Sequence, residues 1–149
     1  MNRTLIVAGI TAFLLGAAIS TEAKSFEAGV IIGEPTGLVA KFWQNKTTAY
    51  DVAVAWSLGS EALHVHADYL IHKYDLLKLN KRKLPVYFGL GAKIVLLSDL
   101  HAGLRIPLGV VLPIKDTRLK VSLEVVPTVD LLPGTGVGFN GALAITYSF

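Results

Sequence analysis

The chain has 149 residues, of which 52% are hydrophobic and 17% are charged, and its formal net charge is +3. The charged fraction lies below the roughly 25% of an average soluble domain, and so small a net charge gives no indication of nucleic-acid binding. After residue 23, no apolar run approaches the ~20 residues that a membrane helix needs. The composition therefore excludes helical membrane spans beyond the N-terminal segment, although it is more apolar than that of most soluble domains.

Residues 1–23 have the three parts of a secretory signal peptide. Arg3 supplies the positive start, residues 5–19 form an apolar core, and the small residues Thr21 and Ala23 precede a cleavage site. The alternative is a retained anchor, but a core of about 15 residues is short for a membrane span. We predict cleavage after Ala23 and a mature domain of residues 24–149. The chain contains no cysteine, so an exported domain must be stable without disulfides.

The rest of the chain alternates large apolar residues with small or charged ones. Tyr50 and Val52, for example, interleave with Asp51 and Ala53. A period of two predicts extended strands, because successive side chains leave opposite faces of a sheet. Segments of about ten residues with this pattern are typical of a transmembrane β-barrel. Turn residues separate eight predicted strands, which cover residues 26–32, 37–43, 48–57, 63–74, 86–97, 102–112, 118–131 and 137–149.

Eight strands predict an all-β fold, an antiparallel up-and-down transmembrane barrel. An even strand count places both ends of the chain on the same side, as in bacterial outer-membrane barrels. If that side is the periplasm, the longest connection, residues 75–85, is periplasmic and the outer connections are short. This departs from the usual barrel, whose outer loops are long. It argues against an adhesin or a receptor, because such functions depend on loops.

The sizes of the residues predict which face of the barrel is inside. A lipocalin-like soluble barrel is apolar within and polar without, whereas a membrane barrel has the opposite arrangement. One face here carries small residues such as Gly89 and Gly91, which suit the narrow interior of eight strands. The other face carries bulky Trp56 and Phe88, which suit contact with lipid. We predict an outer-membrane barrel surrounded by lipid, with a soluble lipocalin-like carrier of a hydrophobic ligand as an alternative.

The charged residues share the predicted inward face with the small ones. Buried charges must be paired or hydrogen-bonded, and acids and bases are equally numerous on this face. This predicts an interior salt-bridge network that fills the lumen, with a narrow channel for small solutes as the alternative. The predicted network consists of Glu27, Lys41, Asp51, His64, His66, Asp68, His72, Lys93, Arg105, Lys120, Glu124 and Asp130, and Arg118 shares their face.

One spacing, His64-x-His66-x-Asp68 with His72 four residues later, places residue types that bind metals on one face of a strand. Imidazole and carboxylate groups together bind zinc and other divalent cations. A metal site also needs fixed, convergent geometry. We therefore interpret these residues as members of the polar network, and we predict neither a metal nor a cofactor.

The sequence shows no recognisable catalytic constellation. Ser57, Ser122 and Ser148 share the inward face with the histidines, but no serine stands in a nucleophile elbow. We predict a non-enzymatic, monomeric protein that supports envelope integrity or surface interaction. A barrel enzyme that modifies lipids is the alternative.

A basic run lies within the predicted periplasmic connection. It contains Lys78, Lys81, Arg82 and Lys83. Clustered positive charge suits an acidic periplasmic partner or anionic lipid headgroups. We predict such a contact, with a solvated turn as the alternative.

Five segments carry a resemblance to a known family. They are GEPTGL at residues 33–38 with KFW at 41–43, LHVHADYL at 63–70, PVYFGLG at 85–91, GLRIPLG at 103–109 and EVVP at 124–127. On these segments the chain resembles small eight-stranded outer-membrane barrels of the OmpA/OmpX type, and more closely a group of uncharacterised bacterial outer-membrane β-barrel proteins. The resemblance implies an outer-membrane barrel without an established activity, so it assigns no functional residue.

Residues 140–149 resemble the C-terminal signal that the outer-membrane assembly machinery reads. Ile145, Tyr147 and the terminal Phe149 alternate as that signal requires, although Ala144 stands near the position where a glycine is usual. The resemblance implies that the assembly machinery is a partner and that Tyr147 and Phe149 belong to its signal.

Deletion of Phe149 should reduce insertion into the outer membrane, because the assembly signal then lacks its terminal aromatic residue. The measurement is the fraction of the protein recovered with outer membranes after expression. Undiminished insertion would contradict this interpretation.

Overall fold

The structure is a computed structural model that describes residues 25–33, 35–57 and 59–149. The predicted signal peptide lies outside the described residues, so its cleavage stays a prediction. No helix in the described part of the chain is long and apolar enough to cross a membrane. The described residues form β1 (Ser25–Ile32), β2 (Thr36–Trp43), β3 (Thr48–Trp56), β4 (Leu63–Leu79), β5 (Arg82–Leu96), β6 (Leu100–Arg105), β7 (Leu108–Pro113), β8 (Leu119–Leu132) and β9 (Gly136–Ser148).

The nine strands form one antiparallel sheet that closes in a ring. Each strand from β1 to β4 pairs with the next, and β8 pairs with β9. The ring is closed by β1 and β9, which pair from Glu27 with Ser148 to Ile32 with Leu143. A closed sheet leaves no strand edge with unpaired backbone groups. The predicted all-β antiparallel barrel architecture is therefore confirmed.

The predicted sixth strand is interrupted, which is why the barrel has nine strands rather than eight. β6 ends at Arg105 and β7 begins at Leu108. Pro107 has no backbone N–H to donate to a neighbouring strand, but its carbonyl accepts the N–H of Gly89 at 3.0 Å. β6 and β7 both pair with β5 on one side and with β8 on the other. Together they occupy the place of one strand in the ring.

The prediction of a long connection over residues 75–85 is wrong. β4 runs to Leu79 and β5 begins at Arg82, so a two-residue turn joins them. Asn80 and Lys81 both have positive φ, 50° and 64°, as a type I′ hairpin turn requires. The pairing shifts register between Lys73 and Leu77, and this irregularity breaks the alternation from which the strand was predicted. Residues 75–85 therefore belong to a β-hairpin and not to a loop.

The connections lie at two ends of the barrel. The start of β1 and the end of β9 share one end, called the terminal end below, with the β2–β3, β4–β5 and β7–β8 turns. The other four turns lie at the opposite end. Thr48, the first residue of β3, pairs with Ile71, so the rest of β4 continues past the β2–β3 turn. The β4–β5 hairpin is therefore the part of the terminal end that projects furthest.

The seam between β1 and β9 depends on a glycine. Gly29 pairs with Thr146, and a Cβ at residue 29 would lie 2.7 Å from the Cα of Thr146 and closer still to the carbonyl oxygen of Ile145. Real Cβ atoms do not approach backbone atoms so closely. The absence of a side chain at residue 29 is what permits these two strands to meet.

Gly29→Val should weaken closure of the ring, because the branched side chain would push β1 away from β9. We expect less of the compact band that folded barrels give on SDS gels without boiling, and a weaker β-sheet circular dichroism signal. Gly136→Val is the matched control, since a Cβ at residue 136 would meet no described atom within 4 Å. Equal losses in both variants would contradict the steric explanation.

Candidate functional site

A row of charged side chains crosses neighbouring strands on the inward face. Glu27 pairs with Lys41, Lys41 with Asp51, and Asp51 with Asp68. The row continues from Asp68 through Gly91 to Arg105. The five charged residues of the row are only 2–8% exposed. The closed sheet thus brings charges from β1, β2, β3, β4 and β6 into one row on the inward face.

Arg105 joins two carboxylates from two other strands inside the lumen. Its Nε donates to Asp68 Oδ1 at 2.9 Å and to Oδ2 at 3.2 Å, and its Nη2 donates to Glu124 Oε1 at 3.2 Å. The hydroxyl of Tyr87 donates to Glu124 Oε2 at 2.6 Å. These residues come from β4, β5, β6 and β8, so the cluster ties four strands together.

The contact between Arg105 and Asp68 passes over a glycine. Gly91 lies between these two residues in the strand register. A Cβ at residue 91 would collide with Oδ1 of Asp68, the oxygen that Arg105 contacts. The missing side chain opens the space that this ion pair occupies.

A second cluster surrounds Glu27 near the terminal end. Glu27 forms an ion pair with Lys120 and accepts hydrogen bonds from Trp43 Nε1 at 2.8 Å and from Thr146 Oγ1 at 3.2 Å. The Lys120 Nζ lies 5.3 Å from the centre of the Trp43 ring, and the Lys41 Nζ lies 5.9 Å from it. These distances suit cation–π contacts. Lys41 and Lys120 therefore both make cation–π contacts with the Trp43 ring, which lies beside the Glu27 carboxylate.

Sequence reasoning missed three neutral members of these clusters. Trp43, Tyr87 and Thr146 donate hydrogen bonds to the buried carboxylates, whereas the predicted network contains only charged residues and histidines. The signal was present in the alternation. Trp43 stands two residues after Lys41, and Tyr87 stands four before Gly91, which places both on the inward face.

The predicted histidine group is divided by the structure. His66 Nε2 lies 3.7 Å from Asp51 Oδ1 and 3.8 Å from Asp68 Oδ2. The ligand-type atoms of these three residues lie within 4.8 Å of one another. His72 is elsewhere, with its ring 4.4 Å from that of Trp43 and 5.2 Å from that of Tyr87.

His66 lies on β4 and Asp51 lies on β3, so the spacing of residues along β4 could not predict that the two meet. His64 lines the interior cavity. Because Asp68 also binds the Arg105 guanidinium, we interpret His66 as a member of the charged network rather than as a metal ligand.

Two further predicted positions complete the interior, and one expectation is wrong. Lys93 Nζ lies 2.8 Å from Asp130 Oδ1, towards the opposite end. Arg118, expected on the inward face, is exposed in the turn before β8, because that strand begins one residue later, at Leu119.

Little space remains in the middle of the lumen, whereas an open cavity of about 790 Å³ lies at the terminal end against Glu27, Trp43 and Lys120. The interior cavity has a volume of about 60 Å³ and is lined by residues that include His66, Arg105 and Glu124. Such a volume holds roughly four water molecules and is far smaller than the ~300 Å³ or more of a typical ligand pocket. Towards the opposite end, Ile31, Val39 and Ala53 form an apolar cluster. The middle of the lumen is filled by its own side chains.

The outward face carries the opposite chemistry. The pairing register defines which positions of β1–β9 point outward. Among the described residues at these positions, the charged side chains are Lys73 and Arg82, both near the terminal end. Large apolar residues dominate elsewhere, and Leu90, Leu123 and Phe139 are 61%, 64% and 72% exposed. The protein therefore presents a continuous apolar band around the barrel.

Aromatic rings cluster on the outward face near the terminal end. The ring of Phe26 lies 5.2 Å from that of Phe42 and 5.5 Å from that of Phe149, and Tyr147 lies 5.0 Å from Phe149. Aromatic residues at the edge of an apolar band are typical of the interfacial girdles of membrane barrels.

In comparisons with protein-family models, curated proteins and solved structures, none matches this chain.

Arg105→Met should strongly destabilise the barrel. The variant would leave Asp68 and Glu124 without their shared cation, and removal of one partner from a buried pair costs about 3–5 kcal/mol. The measurement is the free energy of unfolding by urea in lipid vesicles, followed by tryptophan fluorescence.

Lys83→Met is the matched control, because it breaks an exposed pair. Lys83 Nζ lies 2.8 Å from Asp75 Oδ1, and its hydrogen bond lowers the pKa of the Asp75 carboxyl. Exposed pairs contribute little to stability, so we expect no measurable change. A loss comparable to that of Arg105→Met would contradict the importance of the buried network.

Proposed function

We propose that this chain is a bacterial outer-membrane β-barrel of the OmpA/OmpX type, whose outward face contacts lipid. The observation that carries the proposal is the polarity of the barrel, with paired charges inside and an apolar band outside. If this apolar surface stayed exposed to water, the protein would lack the stabilisation of roughly 25 cal/mol that burial of each Å² gives. In a bilayer, the same surface meets hydrocarbon.

The dimensions of the barrel agree with this proposal. β1, β2 and β3 have 8, 8 and 9 residues, close to the 9–11 residues of a tilted strand that spans a membrane. Closure satisfies the backbone hydrogen bonds, as the hydrocarbon interior of a bilayer requires. The charged interior argues against the lipocalin-like alternative, because a carrier of hydrophobic ligands needs an apolar cavity.

We further propose a structural, non-enzymatic role in the envelope. Arg105 and its two carboxylates project into the lumen, and the Glu27 cluster lies between them and the terminal end. The turns at the opposite end are short, which leaves little loop surface for a receptor or an adhesin. A closed barrel of this kind spans the membrane and is fixed in it, but it does not transport solutes.

The first experiment separates membrane insertion from transport. The protein is purified from outer membranes in detergent and run on SDS gels with and without boiling. A mobility shift on boiling is the expected result, because a closed barrel resists SDS until heated. A protein that stays soluble without detergent and shows no shift would contradict the membrane proposal.

The same preparation is then added to planar lipid bilayers. We expect no stable conductance, because the interior network fills the lumen, and a boiled sample serves as the control for detergent effects. Steady conductance from the unboiled protein alone would contradict the closed lumen and would favour the narrow channel.

A further inference from the structure

Charge is distributed unequally between the two ends of the barrel. Within residues 25–33, 35–57 and 59–149, the four turns of the opposite end carry the acidic Glu61 and Asp99 and no Lys or Arg. The terminal end carries eight exposed basic side chains and two acidic ones, Asp75 and Asp116, a formal excess of six positive charges. We call the eight basic residues the basic rim, and they are Lys46, Lys73, Lys78, Lys81, Arg82, Lys83, Lys115 and Arg118.

The basic rim is held together by contacts between its turns. The Tyr74 hydroxyl, on the β4–β5 hairpin, donates to the carbonyl of Lys46 in the β2–β3 turn. On the other side of the hairpin, the Arg82 guanidinium donates to the carbonyl of Pro113, where β7 ends. The hairpin thus connects all three turns of the terminal end. These contacts hold the lysines of the hairpin on one connected surface rather than on separate loops.

Exposed leucines accompany the basic side chains on the hairpin. Leu76 is 71% exposed and Leu79 is 58% exposed. Leu77 pairs with Leu84 and Leu79 with Arg82, whereas Lys78 pairs with Lys83. Leu77, Leu79 and Leu84 therefore share the outward face with Arg82, whereas Lys78 and Lys83 lie on the other face of the hairpin. The leucine face continues the apolar band. A surface that combines apolar and basic groups in this way suits a membrane interface.

We propose that the basic rim binds the phosphate headgroups of anionic phospholipids in the leaflet at the terminal end. The proposal rests on the membrane function above and adds the lipid class. Charge complementarity favours this occupant, because the described salt bridges neutralise Lys83 alone among the eight basic residues. The exposed leucines favour lipid over an acidic protein, because their face continues the lipid-facing surface. Basic groups next to a membrane are attracted to anionic headgroups.

The test compares two lipids that differ in charge. Phosphatidylglycerol and phosphatidylcholine with identical acyl chains are titrated into the protein in a neutral detergent, and bound lipid is counted by native mass spectrometry. We expect preferential retention of phosphatidylglycerol, and loss of that preference in 1 M salt, where screening shortens electrostatic range to about 3 Å.

Variants of the rim identify the binding surface. Lys78→Gln, Lys81→Gln and Lys115→Gln are combined, because each side chain is exposed. A basic residue near an anionic surface strengthens binding about fivefold, so the preference for phosphatidylglycerol should fall about tenfold or more. Glu61→Gln with Asp99→Asn changes charge at the opposite end and should leave the preference unchanged.

Three results would overturn the lipid assignment. They are equal retention of the two lipids, an unchanged preference in the triple variant, and an equal loss in the opposite-end variant. Binding of a polyglutamate peptide without any preference for phosphatidylglycerol would instead assign the rim to an acidic protein. The shift in gel mobility on boiling, measured in phosphatidylcholine alone, reports on the membrane barrel separately. Its absence would overturn the barrel proposal and the lipid assignment with it.

Discussion

Closure of a narrow ring is the constraint on which the rest of this structure depends. Because β9 returns to β1, every strand has two neighbours, and the sheet encloses a lumen only just wide enough for side chains. Inward positions must then be small, as at Gly29, or must carry groups that find partners inside. Most of the large apolar residues occupy the outward positions, where space is not limited, and Ile31 and Val39 pack together inside.

The narrow lumen also determines how the interior charges interact. Arg105 reaches Asp68 over Gly91 and also contacts Glu124, so one guanidinium serves two carboxylates from different strands. Such a cluster contributes to stability only while each member keeps its partners, since an unpaired buried charge is costly. The same contacts that hold the strands together also obstruct the lumen, which links the stability of the barrel to the absence of a pore in the proposed function.

The two ends of the barrel differ because one hairpin is longer than the others. The β4–β5 hairpin continues past its neighbours and carries most of the basic side chains, and Tyr74 and Arg82 connect it to the adjacent turns. The opposite end has short turns and acidic groups. In the proposed membrane barrel, this asymmetry would set a direction, with the basic surface at the end that holds the start of β1 and the end of β9.

The alternation of residues by itself determined that the chain forms an antiparallel barrel and which residues share a face, because a strand has a period of two. It did not determine partners across strands. Sequence grouped His66 with His64 and His72 along β4, whereas the structure places it beside Asp51 of β3. It also treated residues 75–85 as a loop, because the register shift after Lys73 interrupts the pattern. Register between strands is set by closure of the whole ring, so only the tertiary structure decided which charges meet.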